Sequence, residues 1–202
     1  GTSEVPVSRN QVARCHTAML LGVDAHPVVV EAEVGLGLPH FQIVGMGDRA
    51  VAESRHRVRA GIAAAGFDFP QRRVTVTLAP AGLRKDGSAF DLPIALGILA
   101  AADVVDQRRL ESCLVAGELA LDGSLRPIAG ALCIAAAARA LGIRNVLLPV
   151  ENAREAAVID GVEVLACTTL EEAAEHLRGE RTLPVAEPPG AEAFRSADDL
   201  DL

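Results

Sequence analysis

Runs in which apolar and polar residues alternate are separated along this chain by longer stretches that cannot alternate, and the two patterns predict strands interleaved with helices. Thr17–Val23 and Val28–Val34 are apolar or alternating and are divided by Asp24, His26 and Pro27, with Phe41–Val44 as a third short run. Arg73–Leu78, read as RVTVTL, alternates with β-branched side chains at most positions, which predicts a half-buried strand. Gly35-Leu36-Gly37-Leu38-Pro39 lacks the spacing and following helix of a dinucleotide-binding loop, so it is read as a turn. Asp48–Ala65 places Val51, Val58, Ile62 and Ala65 on one helical face, with Asp48 as its expected cap and Gly66 as its stop. Asp91–Ala102 is apolar almost throughout and predicts a buried helix, capped by Asp91 and tolerating Pro93 in its first turn.

Beyond it, Cys113–Leu121 reads as a strand, Asp122-Gly123 as a hairpin turn leading to Leu125, and Ala129–Ala140 as a helix closed by Gly142. Val146–Leu148 and Val162–Ala166 read as strands, Glu151–Ile159 and Leu170–Leu177 as helices. This alternation implies an α/β domain in which sheet and helices are layered. Residues 1–12 are expected to be a flexible lead-in, 13–179 the single domain, and 180–202 an acidic, Pro-rich linker, with PVAEPPGAEAF ending the globular unit.

Composition narrows the picture. Half of the 202 residues are hydrophobic but only 2% are aromatic, so the core must be built from aliphatic side chains, and base stacking on aromatic platforms is disfavoured. Cys15, Cys113, Cys133 and Cys167 are too dispersed for a zinc site or a disulfide framework and read as buried thiols of a reducing compartment. The five histidines are scattered, which gives no metal-ligand spacing. No apolar run is long enough to span a bilayer without Gly or charge, and the chain is expected to be soluble, cytoplasmic and without membrane contact. The net charge of -8 is unevenly placed. Arg49–Lys85 carries eight basic residues against Glu53 and Asp68, while Glu180–Leu202 is acidic. Glu53 is expected to pair with Arg49 and Arg57, leaving Arg55 and Arg59 without a local acid, and Arg72, Arg73, Arg84 and Lys85 flank the adjoining strand. These six, Arg55, Arg59, Arg72, Arg73, Arg84 and Lys85, are the candidate contacts to DNA or to a neighbouring subunit. A solvated helix face is the alternative for the arginine run.

The string LAPAGLRKDGSAFDLPIALGILAA, preceded by GLPHFQIVGMGDRAVAESRHRVRAGIAAAGFDFP and followed by GELALDGSLRPIAGAL, resembles the N-terminal domain of the ComM/YifB proteins, the magnesium-chelatase-like AAA+ family. The likeness runs from about Cys15 to about Leu177. It implies the two-layer α+β fold of the Lon proteolytic domain, also called ribosomal protein domain-2-like. It further implies a hexameric, DNA-translocating motor acting in branch migration during recombination and natural transformation, in which this domain assists ring assembly or guides DNA. A module that only contacts protein is the rival reading.

A Lon-type peptidase activates a Ser hydroxyl with a Lys base. The resemblance aligns Arg84-Lys85-Asp86-Gly87 with the Lon loop and puts the nucleophile position on Ala89; the turn Pro127-Ile128-Ala129-Gly130 puts the base position on Leu132. A one-residue slip would bring in Ser88, but Lys85 is the only lysine and sits on the same loop, where it is expected to be exposed and charged. Neither Ser88 nor Lys85 is therefore expected to act, and no catalytic residue is assigned. The chain has no G-x-x-x-x-G-K-[ST] sequence, so ATP and Mg are expected in a motor domain outside this sequence, with no cofactor in the segment itself.

Overall fold

The computed structural model describes residues 10–191. Its nine strands are β1 (Gln11–Leu21), β2 (Asp24–Gly35), β3 (His40–Val44), β4 (Arg73–Ala79), β5 (Cys113–Val115), β6 (Glu118–Leu119), β7 (Leu125–Arg126), β8 (Asn145–Pro149) and β9 (Glu163–Cys167). The helices are α1 (Asp48–Ala64), α2 (Asp91–Ala101), α3 (Gln107–Glu111), α4 (Ala131–Ala140), α5 (Val150–Ala156) and α6 (Leu170–Leu177). Seven strands form one mixed sheet in the order β3-β4-β2-β1-β5-β8-β9, and β6 and β7 form a separate hairpin. β2 is antiparallel to β1 and β4; the other pairings in the large sheet are parallel.

The mixed α/β class agrees with the sequence, but the layering is not uniform. In β2 and β4 the buried residues alternate, Val28, Val30, Ala32 and Val34 with Val74, Val76 and Leu78, and all belong to the core beneath α2. Their other face carries Arg14 paired with Glu31, and Asn10 bonded to Glu33, in partial exposure. In β5 and β8 every interior position is apolar, and successive residues serve opposite cores. Cys113, Val115 and Leu147 face the first, while Leu114, Val146 and Leu148 join α4 and α5 in a second. Strands without alternation are buried on both faces. Helices therefore pack on both faces of the sheet at β5 and β8, which departs from the expected two-layer arrangement.

α2 is the centre of the larger core. All eleven of its residues are buried, and Gly97 brings its backbone close to β2, since a Cβ there would stand 3.4 Å from that of Ala32. A helix that is apolar all round packs on every side.

Several expected boundaries change. β1 begins at Gln11, within the expected lead-in, because its first residues pair with Val34 and Glu33 of β2. The long strand expected at Cys113–Leu121 is broken after Val115 and resumes as the short β6. α3 is additional, capped by Asp106, whose carboxylate accepts the Arg108 N–H at 2.8 Å. Neither Asp48 nor Asp91 caps its helix by a side-chain bond; both lie inside the first turn. The chain also stays packed past residue 180: Leu183 is buried, and Val185 pairs with Leu165 on the outer edge of β9. The Ala166 N–H donates to Pro184 O at 3.0 Å and the Ala186 N–H to Val164 O at 2.8 Å. The remainder of the expected linker, from residue 192, lies outside the described residues.

Candidate functional site

Two segments singled out by sequence meet at one pocket. After β4 the chain passes through Arg84–Gly87 into a single 3-10 turn, Ser88–Phe90, that feeds α2. This loop is fixed to the β5–β6 connection by Gly117 N–H donating to Ala89 O and Leu92 N–H donating to Gly117 O, each at 3.0 Å. Facing it is the turn Pro127–Gly130 before α4. Gly130 has φ +76°, and a Cβ there would fall 2.1 Å from Leu20 Cδ1 of β1, so only glycine brings the turn this close. The space between is about 330 Å³, with Ser88, Ala89 and Glu118 on one side and Leu20, Ile128 and Ala129 on the other.

The Ser88 hydroxyl donates to Glu118 Oε2 at 2.7 Å. Ala89 lines the pocket, whereas Leu132 lies outside its lining and is 37% exposed. Lys85 departs from expectation. It is 1% exposed, its Nζ donates to Leu83 O at 2.9 Å, and its backbone bridges to Met46. The loop folds its aliphatic stem inward beside a second cleft lined by Val44, Met46 and Leu83, so it cannot serve as a surface contact. Arg84 is exposed and held by Asp86 at 2.5 Å.

The arginines of the candidate surface separate into two places. Arg73 opens β4 opposite His40 of β3. Arg55 Nη1 donates to Phe41 O at 3.1 Å, covering a carbonyl of the edge strand β3. The Arg59 guanidinium lies 4.6 Å from the Phe69 ring centroid and 5.4 Å from that of Phe41, within cation–π range. Arg72 is half-buried, is engaged by a partner, and precedes Arg73 directly. Arg55, Arg59, Arg72 and Arg73 thus share the corner where β3 and β4 start. Arg84 is at the far end of β4, roughly 20 Å away by strand rise. Arg49 pairs with Glu53 at 3.2 Å as expected, but Arg57 does not join them.

Arg57 instead enters a buried polar cluster that sequence reasoning missed. Its Nε donates to Asp91 Oδ2 at 2.6 Å and its Nη2 to Oδ1 at 3.2 Å, while Ser54 Oγ donates to Oδ1 at 2.8 Å and Leu119 N–H to Oδ2 at 3.1 Å. Burial pushes the Asp91 carboxyl above its ordinary range, and Arg57, Ser54 and Leu119 oppose that shift. Half of the signal was available: an Asp at the start of an entirely apolar helix needs a counter-ion, but local spacing assigns Arg57 to Glu53 and leaves Arg55 and Arg59 as the spare cations of α1.

Three of the four thiols are buried and not poised for chemistry, whereas Cys133, expected to be buried, is partly exposed on α4. Burial pushes Cys15 and Cys113 up, and burial followed by the charge of Glu172 pushes Cys167 up to about 12. Among the described residues, no three His, Cys, Asp or Glu side chains are grouped to hold a metal ion, and no helix is long and apolar enough to cross a membrane.

Residues 30–152 match the family model described as subunit ChlI of Mg-chelatase. The chain is 37% identical to competence protein ComM of Haemophilus influenzae over 185 residues, which is 90% of this chain and 36% of that protein. It is 44% identical to YifB of Escherichia coli over 81 residues, 40% of this chain and 16% of that protein. A Mycobacterium tuberculosis protein is 38% identical over 168 residues, 83% of this chain and 33% of its own length. The chain thus spans about a third or less of the length of these relatives.

Proposed function

The chain belongs to the ComM/YifB family, related to subunit ChlI of Mg-chelatase, and on that premise we propose that it is a non-catalytic, Lon-like accessory domain of an AAA+ ATPase acting on DNA in competence and recombination. ATP and Mg belong to the motor portion of the longer protein, which acts as a hexameric ring in the cytoplasm. The domain helps the ring assemble or guides DNA.

The observation that carries this reading is the pocket between the Ser88 loop and the Pro127–Gly130 turn. It keeps the meeting of two segments that a Ser–Lys peptidase needs, yet the aligned positions are Ala89, inside the pocket, and Leu132, outside its lining. Ser88 has a carboxylate partner rather than a lysine, and an unactivated hydroxyl is a poor nucleophile. Peptidase activity is the least supported reading.

The corner formed by Arg55, Arg59, Arg72 and Arg73 is the surface proposed to meet DNA. Guanidinium groups bind phosphate through paired N–H donors, and a stacked guanidinium keeps edge donors available. The test is to change Arg59 and Arg73 to Glu in the full-length protein and measure binding to labelled forked DNA across a salt series. Weakened, less salt-dependent binding is expected. Unchanged binding and unchanged assembly would remove the corner from the site.

A second reading is favoured by the engagement of Arg55 and Arg59 with β3 and its aromatic neighbours. There the corner meets an acidic surface of a neighbouring subunit and no DNA. Sedimentation velocity separates the two, since oligomers that dissolve in salt without any requirement for DNA favour the protein contact.

A further inference from the structure

We propose that the pocket beside Ser88 is a socket for a lysine or arginine side chain presented by an extended segment of another polypeptide. Its lining sets the apolar side chains of Met19 and Leu20 of β1, Phe90, Ile128 and Ile134 beside the polar Asp86, Ser88 and Glu118. Glu118 receives one hydrogen bond, from Ser88, on Oε2. Among the described residues no ammonium or guanidinium stands within 4.0 Å of its carboxylate. Arg57 is hydrogen-bonded to Asp91 and feels Glu118 only through space, Arg84 is held by Asp86, and Arg126, opposite Glu118 in the β6–β7 hairpin, closes no ion pair with it. A partly buried carboxylate with an unused oxygen attracts a cation from outside.

The shape specifies which cation. At about 330 Å³ the pocket lies at the small end of ligand sites, which run from roughly 300 to 1,000 Å³. A pocket that sets apolar side chains beside a carboxylate complements a side chain with a long aliphatic stem and a charged head.

The surface near the pocket points to a polypeptide as the source. Leu132, 37% exposed, follows the lining turn on α4, and Val23, 85% exposed, is tied to the same helix by Cys133 Sγ donating to Val23 O at 3.4 Å. Apolar residues flanking an inserted Lys or Arg would cover these two side chains; a small diffusible cation would leave them bare. The inference is independent of whether the arginine corner meets DNA.

The test uses the whole chain and a fluorescein-labelled peptide, Gly-Ala-Leu-Arg-Leu-Ala-Gly, followed by anisotropy. Binding is expected for this peptide and its Lys counterpart, and replacing Arg by the neutral isostere citrulline is expected to weaken it by about tenfold. Glu118→Gln is expected to produce a similar loss, whereas Glu151→Gln, on the exposed face of α5, leaves binding unchanged. Equal binding of the citrulline peptide, or none at millimolar peptide, overturns the proposal. Displacement of the peptide by spermidine at matching concentrations overturns the assignment to a polypeptide. The citrulline comparison uses the unaltered protein, so it stands even if Glu118→Gln fails to fold.

Discussion

The carboxylate of Asp91, at the start of α2, receives two hydrogen bonds from Arg57 of α1, the shorter at 2.6 Å, with the Asp91 side chain wholly buried and that of Arg57 20% exposed. Removing one partner leaves the other charge buried and unpaired. Asp91→Ala is expected to lower unfolding stability by about 3 kcal/mol in urea titration. The double variant Arg57→Met, Asp91→Leu should lose clearly less than the single losses combined. Additive losses would mean that the two residues act separately.

Thr17 presents the opposite situation. Its hydroxyl is buried and is the one buried side-chain oxygen or nitrogen among the described residues without a hydrogen-bond partner. Thr17→Val keeps the shape and removes the unmet polar group, so a gain of about 1 kcal/mol is expected. A raised urea midpoint at unchanged slope would register it, and a lowered midpoint would refute the assignment.

Gly130 sets the width of the pocket. Gly130→Ala is expected to destabilise the fold by at least about 1 kcal/mol, through both its left-handed backbone and the collision with Leu20. Adding Leu20→Ala removes only the collision. Partial recovery in the double variant is therefore the expected result, and full recovery would show that the backbone conformation costs nothing.

His176 makes the Leu183–Ala186 segment beside β9 sensitive to pH. Its Nδ1 accepts the Leu183 N–H at 3.2 Å, and burial holds its pKa below 6.5. A depressed pKa means that the native state binds fewer protons than the unfolded state, so this contribution is present above about pH 6.5 and fades as pH falls through the folded value. Amide exchange at Ala186, bonded to Val164 O, should quicken relative to Leu147 on acidification. Equal acceleration at both sites would instead indicate global unfolding.

The sequence exposed what is local. Helix α6 has the predicted limits, Leu170–Leu177, because its apolar positions and Thr169 cap act within one segment. Gly66, with φ +88°, stops α1 close to the predicted position. What escaped depends on residues distant in the chain. Asp91 looks like a cap until α1 delivers Arg57 across thirty-four residues. Lys85 looks exposed within Arg-Lys-Asp-Gly until the Met46 segment closes beside it. Sequence correctly isolated the Ser88 loop and the Pro127 turn, but only the sheet order makes them face each other. Leu183–Ala186 was hidden by Pro184, since backbone paired along a sheet edge tolerates Pro where a central strand does not.

The unequal covering of the sheet divides the molecule into a slow part and a fast part. β5, β8 and β9 are sealed between helices, so their amides should open only when the whole domain unfolds, whereas β2, β3 and β4 have one wetted face and can open in smaller excursions. β1 is the seam. It hydrogen-bonds to both parts and also supplies Ala18, Met19 and Leu20 to the pocket. A guest seated there would grip the strand common to both parts, and its arrival would slow the opening of the arginine-bearing half without touching it.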